Sequence, residues 1–79
     1  MNNDRDESRE LIKDLKNAIK KEELKNTRVI VAPTFVNLST SIKAARKSKI
    51  EVVAQNMHQA KNGAYTGEIS ASMLKSIGI

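Results

Sequence analysis

RVIVA at residues 28–32, PTFVNLSTSIKAARKSK at 33–49 and IEVVA at 50–54 form the stretch on which the fold turns. Its two ends are short, β-branched and apolar, the pattern of strands buried on both faces of a parallel sheet. Pro33 stops the first. Between them Phe35, Val36, Leu38, Ile42 and Ala45 make an apolar stripe at helical spacing, which predicts a helix from Phe35 to Lys47 with Thr34 as its N-cap. Strand, helix and strand in close succession are a βαβ unit, whose strands run parallel and whose crossover is right-handed.

Upstream, Asp4 followed three residues later by Glu7 has capping-box spacing, with Asp in place of the usual Ser or Thr. Leu11, Leu15 and Ile19, flanked by Ile12 and Ala18, then predict an amphipathic helix over residues 5–22. Acids crowd its first half and lysines its second, which suits the helix dipole. Downstream, residues 55–68 show no helical period and contain Asn62-Gly63, a turn signal. A loop this long in a small domain usually carries function. Ser70 then caps a short helix bearing Met73, Leu74 and Ile77, closed by Gly78.

The order is therefore α-β-α-β-loop-α, an α/β arrangement with two parallel strands. Parallel strands need both faces covered, and two do not make a finished sheet. The expectation is a segment of a larger parallel α/β enzyme, not a complete catalyst.

Composition narrows the function classes. The 79 residues hold no cysteine, which excludes disulfides and thiolate metal sites. The N-terminus is polar and charged, unlike a signal peptide, and no apolar run approaches the length of a membrane span. Residues 1–25 carry seven basic and seven acidic side chains, so the net charge of +5 comes from the remainder, with seven basic residues against Glu51 and Glu68. Lys43, Arg46, Lys47 and Lys49 cluster without interleaved aromatics, and read as the wet end of a helix rather than a nucleic-acid site.

Individual chemistry-bearing residues give no active site. His58 is the only histidine and lacks nearby metal ligands. Asp4, Asp6, Glu7, Glu10 and Asp14 are accounted for by capping and helix pairing. Gly63, Gly67 and Gly78 do not form a phosphate-cradling motif. Met1, Met57 and Met73 read as core or contact filler.

The loop carries a more specific signal. With the strand end before it, residues 52–70 read VVAQNMHQAKNGAYTGEIS. This closely resembles the triosephosphate isomerase family, in which a strand ending AQN leads through a loop to GA(F/Y)TGEIS. Met1-Asn2, Ala32-Pro33-Thr34-Phe35 and the closing MLKSIG at residues 73–78 resemble further stretches of that family, in the right order. The resemblance implies a TIM barrel of eight parallel strands. Residues 1–79 would be a single incomplete piece of it: first helix, second strand, second helix, third strand and third loop.

It also implies a cytoplasmic homodimer that interconverts dihydroxyacetone phosphate and glyceraldehyde 3-phosphate in glycolysis and gluconeogenesis, without a cofactor. The family's catalytic positions fall outside these residues, and His58 does not align with the catalytic histidine. This chain alone is therefore expected to be inactive. What it retains is the third loop, which in the family enters a pocket of the second subunit and braces its catalytic asparagine and lysine. By that resemblance Met1, Gln55, Asn56, Tyr65, Thr66, Gly67 and Glu68 form the dimer interface. Thr66 matches the bracing threonine, Glu68 the acid that pairs with an arginine, and Met1 a residue that receives the partner's loop. A second reading is a stand-alone basic α/β interaction module without catalysis.

Overall fold

Asp4 and Glu7 start the first helix by capping each other. Glu7 N–H donates to Asp4 Oδ1 at 2.8 Å, and Asp4 N–H donates to Glu7 Oε1 at 3.2 Å. The computed structural model describes residues 2–22 and 27–79, and the helix opened by this box, α1, runs Arg5–Glu22. Its buried side is Ser8 and Ile12, flanked by Leu15 and Ile19. The sequence puts Leu11 on that stripe and Ile12 at its flank, but Leu11 is 49% exposed and Ile12 only 3%. Adjacent helical residues lie about 100° apart, and either one continues a stripe through Leu15 and Ile19. Contact with Ala45 and Ile50 selects Ile12.

Strands β1 (Val29–Val31) and β2 (Ile50–Val52) pair in parallel, with Val29 opposite Ile50, Ile30 opposite Glu51 and Val31 opposite Val52. Val53 N–H adds one more bond, to Val31 O at 2.9 Å. Val29, Val31, Ile50 and Val52 pack against Ile12, Leu15, Ile19, Ala44 and Ala45. Successive strand residues point to opposite faces, so Ile30 and Val53 lie on the other side. They are 50% and 39% exposed, which corrects the expectation of strands buried on both faces. Both α1 and the second helix sit on one side, and no described element covers the other. On the uncovered side Arg28 holds the Glu51 carboxylate through Nη2 at 2.7 Å and Nε at 3.1 Å.

The segment after Pro33 departs from the expected single helix. Phe35–Asn37 is a 3₁₀ turn, and α2 begins behind it, Leu38–Ala45. Thr34 precedes the turn without capping it through its side chain. Its Oγ1 instead accepts from Asn37 Nδ2 at 2.9 Å. Phe35 and Val36 are exposed, and the buried residues are Asn37, Leu38, Ser41 and Ala45. The helix ends at Ala45 because Arg46 turns to an extended ψ of 143°, and Lys47 follows at a left-handed φ of +59°. Ser48 then returns to the helix end, where its N–H donates to Ala45 O at 3.2 Å.

The last helix, α3, runs Ala71–Ser76, and Ser70 Oγ accepts from Met73 N–H at 3.4 Å as the expected N-cap. Gly78, at φ +103°, follows its end. Leu74 is buried, but Met57 and Met73 are 58% and 54% exposed and do not fill a core. Met1 lies outside the described residues. No helix among the described residues is long and apolar enough to cross a membrane.

Candidate functional site

In parallel α/β folds the functional loops gather at the C-terminal ends of the strands. Here those ends release residues 32–37 after β1 and residues 53–70 after β2. The longer connection is closed at its base: His58 and Ser70 form a parallel bridge, with His58 N–H donating to Ile69 O at 2.6 Å.

Within that closure the loop is shaped by its own side chains. The His58 and Tyr65 rings stack with centroids 4.4 Å apart and planes inclined by 32°. His58 Nδ1 accepts the Ala60 N–H at 3.1 Å. Gly63 lies under Tyr65: a Cβ there would stand 2.5 Å from Tyr65 Cε2. A side chain at Gly63 would have to displace the ring, and would also be strained by the φ of +136° there.

The tip is a turn. Glu68 N–H donates to Tyr65 O at 3.0 Å, and Gly67 occupies the third position with φ +87°. A positive φ at that position is the mark of a type II turn, which glycine fills without strain. Thr66 Oγ1 donates back to Ala64 O at 2.9 Å. Tyr65, Thr66, Gly67 and Glu68 are all exposed, so the turn presents them outward.

The other residues expected at an interface fall elsewhere. Gln55 Nε2 donates to Ala32 O at 2.8 Å and so ties the end of β2 to the end of β1. Asn56 is exposed beside it. Glu68 forms no ion pair among the described residues. The loop residues therefore come together at 65–68, whereas Gln55 works at the root of the loop.

Sequence reasoning passed over Asn37. It is 2% exposed, and Nδ2 donates to Asn3 O at 2.9 Å as well as to Thr34. The available signal was a polar amide inside the apolar run Phe35–Leu38, three residues after Thr34.

Other clusters do not build a site. No group of three or more potential metal ligands converges among the described residues. An open groove of about 440 Å³ runs along α1 beside Leu11, lined by Asn3, Asp6, Glu7, Glu10 and Asp14. Asp6 there pairs with Arg9 at 3.1 Å, and Glu7 caps the helix. Arg46 and Lys47 stand at the end of α2, where Lys16 Nζ donates to Arg46 O at 3.1 Å.

Comparison with known proteins bears on this architecture. The profile of the triosephosphate isomerase family matches residues 1–79. A triosephosphate isomerase of Flavobacterium psychrophilum is 49% identical over all 79 residues, which cover 31% of its own length. One of Clostridium acetobutylicum is 44% identical over the same 79 residues, again 31% of its length. One of Flavobacterium johnsoniae is 59% identical over 54 residues, covering 68% of this chain and 22% of the relative. The chain thus spans about a third of the length of the full-span relatives, at 31%. Two parallel strands with helices on one face and a long closed loop at their C-terminal ends are part of a (β/α)₈ barrel, and the chain belongs to the triosephosphate isomerase family.

Proposed function

We propose that this chain serves within a homodimeric, cytoplasmic triosephosphate isomerase, which interconverts dihydroxyacetone phosphate and glyceraldehyde 3-phosphate. The observation that carries the reading is the family match across residues 1–79. It is supported by the closed loop, whose glycine turn presents Tyr65, Thr66 and Glu68 outward.

The chain's share of the work is architectural. An aldose–ketose isomerisation needs a general base within reach of a carbon-bound proton. Asp4 and Glu7 are engaged in the cap of α1, Asp6 pairs with Arg9, and Glu51 with Arg28. His58 Nδ1 is occupied by the Ala60 N–H. The loop instead gives a second subunit a preformed, outward-facing turn, and Thr66 braces the neighbour's catalytic groups. Tyr65, Gly67 and Glu68 complete this contact at the turn, with Gln55 and Asn56 at the root of the loop.

The experiment is a chimera. This 79-residue segment replaces its counterpart in the Flavobacterium psychrophilum relative, with which it is 49% identical. The expected result is a dimer that turns over dihydroxyacetone phosphate. A folded chimera with no turnover would overturn the reading.

A further inference from the structure

Two side-chain amides tie three stretches of backbone together at the C-terminal ends of the strands. Asn37 Nδ2 reaches Asn3 O, 34 residues away in sequence, and Thr34 Oγ1, both at 2.9 Å. Gln55 Nε2 reaches Ala32 O, 23 residues away, at 2.8 Å. Residues 2–4 lead into α1, residues 32–37 join β1 to α2, and residues 53–58 leave β2. In a (β/α)₈ barrel these junctions make up the reacting face.

The burial of Asn37 gives the tie its meaning. At 2% exposure it is among the most enclosed side chains, with Leu38 and Ser41. Its Oδ1 has no hydrogen-bond partner among the described residues, whereas Nδ2 serves two acceptors. A buried amide whose acceptor is left unserved is a poor packing residue, since leucine fills a similar volume without an unsatisfied polar atom. Its value lies in the donor end. The Asp4–Glu7 box orients the start of α1 but binds it to nothing outside α1. Asn37 supplies that external anchor.

We propose that Asn37 is a positioning residue for the isomerisation. It fixes the backbone at Asn3 against the β1–α2 junction, while Gln55 fixes that junction to the end of β2. Groups presented from these three junctions are thereby held in one mutual geometry. Asn37 itself does not touch substrate. The proposal rests on the isomerase reading above.

The test uses the chimera with two substitutions. Asn37→Leu removes the donor and keeps the volume apolar; Asn37→Asp removes the donor and keeps the shape. Both variants are expected to remain dimeric, with kcat reduced about tenfold or more and KM changed less than about twofold, because misplacement of reacting groups is felt in the transition state. Gln55→Leu should shift kcat in the same direction by less. A folded Asn37→Leu or Asn37→Asp protein with unchanged kcat overturns the proposal, and so does a lowered melting temperature with kcat intact. If the unsubstituted chimera does not turn over dihydroxyacetone phosphate, the isomerase reading fails, and the anchor is judged by amide hydrogen exchange over residues 2–8. Exchange about tenfold faster in Asn37→Asp, with α3 unchanged, supports the anchor. Equal exchange overturns it.

Discussion

Replacing Gly67 by alanine separates what the loop does for itself from what it does for a partner. Gly67 sits at φ +87°, and an added Cβ would meet nothing within 4 Å. Inside its own chain the substitution therefore costs backbone strain alone, about 1–2 kcal/mol for an L-residue held left-handed. The free monomer can relax an exposed turn, whereas the dimer has to hold both copies in this shape, so the dissociation free energy loses up to about 2–4 kcal/mol. At about 1.4 kcal/mol per decade, that is on the order of 30- to 700-fold weaker dimerisation. The assay is sedimentation velocity on the chimera across a dilution series, run beside steady-state kinetics. Turnover should fall along with the dimer, because the loop holds the neighbour's reacting groups. Gly63→Ala is the internal contrast: its Cβ would stand 2.5 Å from Tyr65 Cε2, so it should move the Tyr65 ring off His58 within the chain itself. A Gly67→Ala dimer within about threefold of the parent affinity, with parent turnover, would refute both the interface and the reasoning from turn geometry.

Further expectations concern the same chimera and the chain itself. Thr66→Arg should weaken the dimer and lower turnover together, because it forces an unpaired charge into the contact; a titration by ultracentrifugation reads this directly. Lys47→Gly should stabilise by about 1 kcal/mol, since Lys47 is held at φ +59°. A urea midpoint that rises with an unchanged slope is the check. Ile12→Ala should destabilise by about 2–5 kcal/mol, because Ile12 is 3% exposed at the centre of the cluster with Ala45 and Ile50. The 79-residue chain by itself should show no turnover of dihydroxyacetone phosphate above buffer in a coupled assay, and poor amide dispersion, because Ile30 and Val53 leave one face of its sheet uncovered.

What was legible in the sequence is what is decided locally. The Asp4–Glu7 box, the Ser70 cap and the parallel pairing of two β-branched runs depend on residues within a few positions of one another, or on a repeated pattern. The turn signal in the sequence falls at Asn62-Gly63, whereas the hydrogen-bonded turn spans Tyr65–Glu68 around Gly67. The choice between Leu11 and Ile12 was not, because helical periodicity admits both and the packing of α2 and β2 decides. The 3₁₀ turn at Phe35–Asn37 was hidden for a related reason. Asn37 bonds to Asn3 across 34 residues, and nothing in the local pattern announces it. Gln55 likewise reads as part of the loop from its motif, although its amide belongs to the strand ends. Lys47 gives no signal at all, since lysine is not a residue that marks a left-handed position.

The ion pair between Arg28 and Glu51 bears on register fidelity. Side chains alternate along a strand, so a slip of one residue would exchange the covered and uncovered faces and is ruled out by burial. A slip of two residues preserves the faces. RVIVA against IEVVA offers little apolar contrast between those two alignments. A two-residue slip would carry Arg28 a further two positions along the partner strand, on the order of 7 Å, and break its two bonds to Glu51. An exposed pair of this kind contributes about 1 kcal/mol or less to stability. Between two nearly equivalent alignments, however, that amount sets a population ratio of several-fold. Its effect is to choose the alignment rather than to strengthen it, and the alignment chosen is the one that brings the Gln55 amide within reach of Ala32 O.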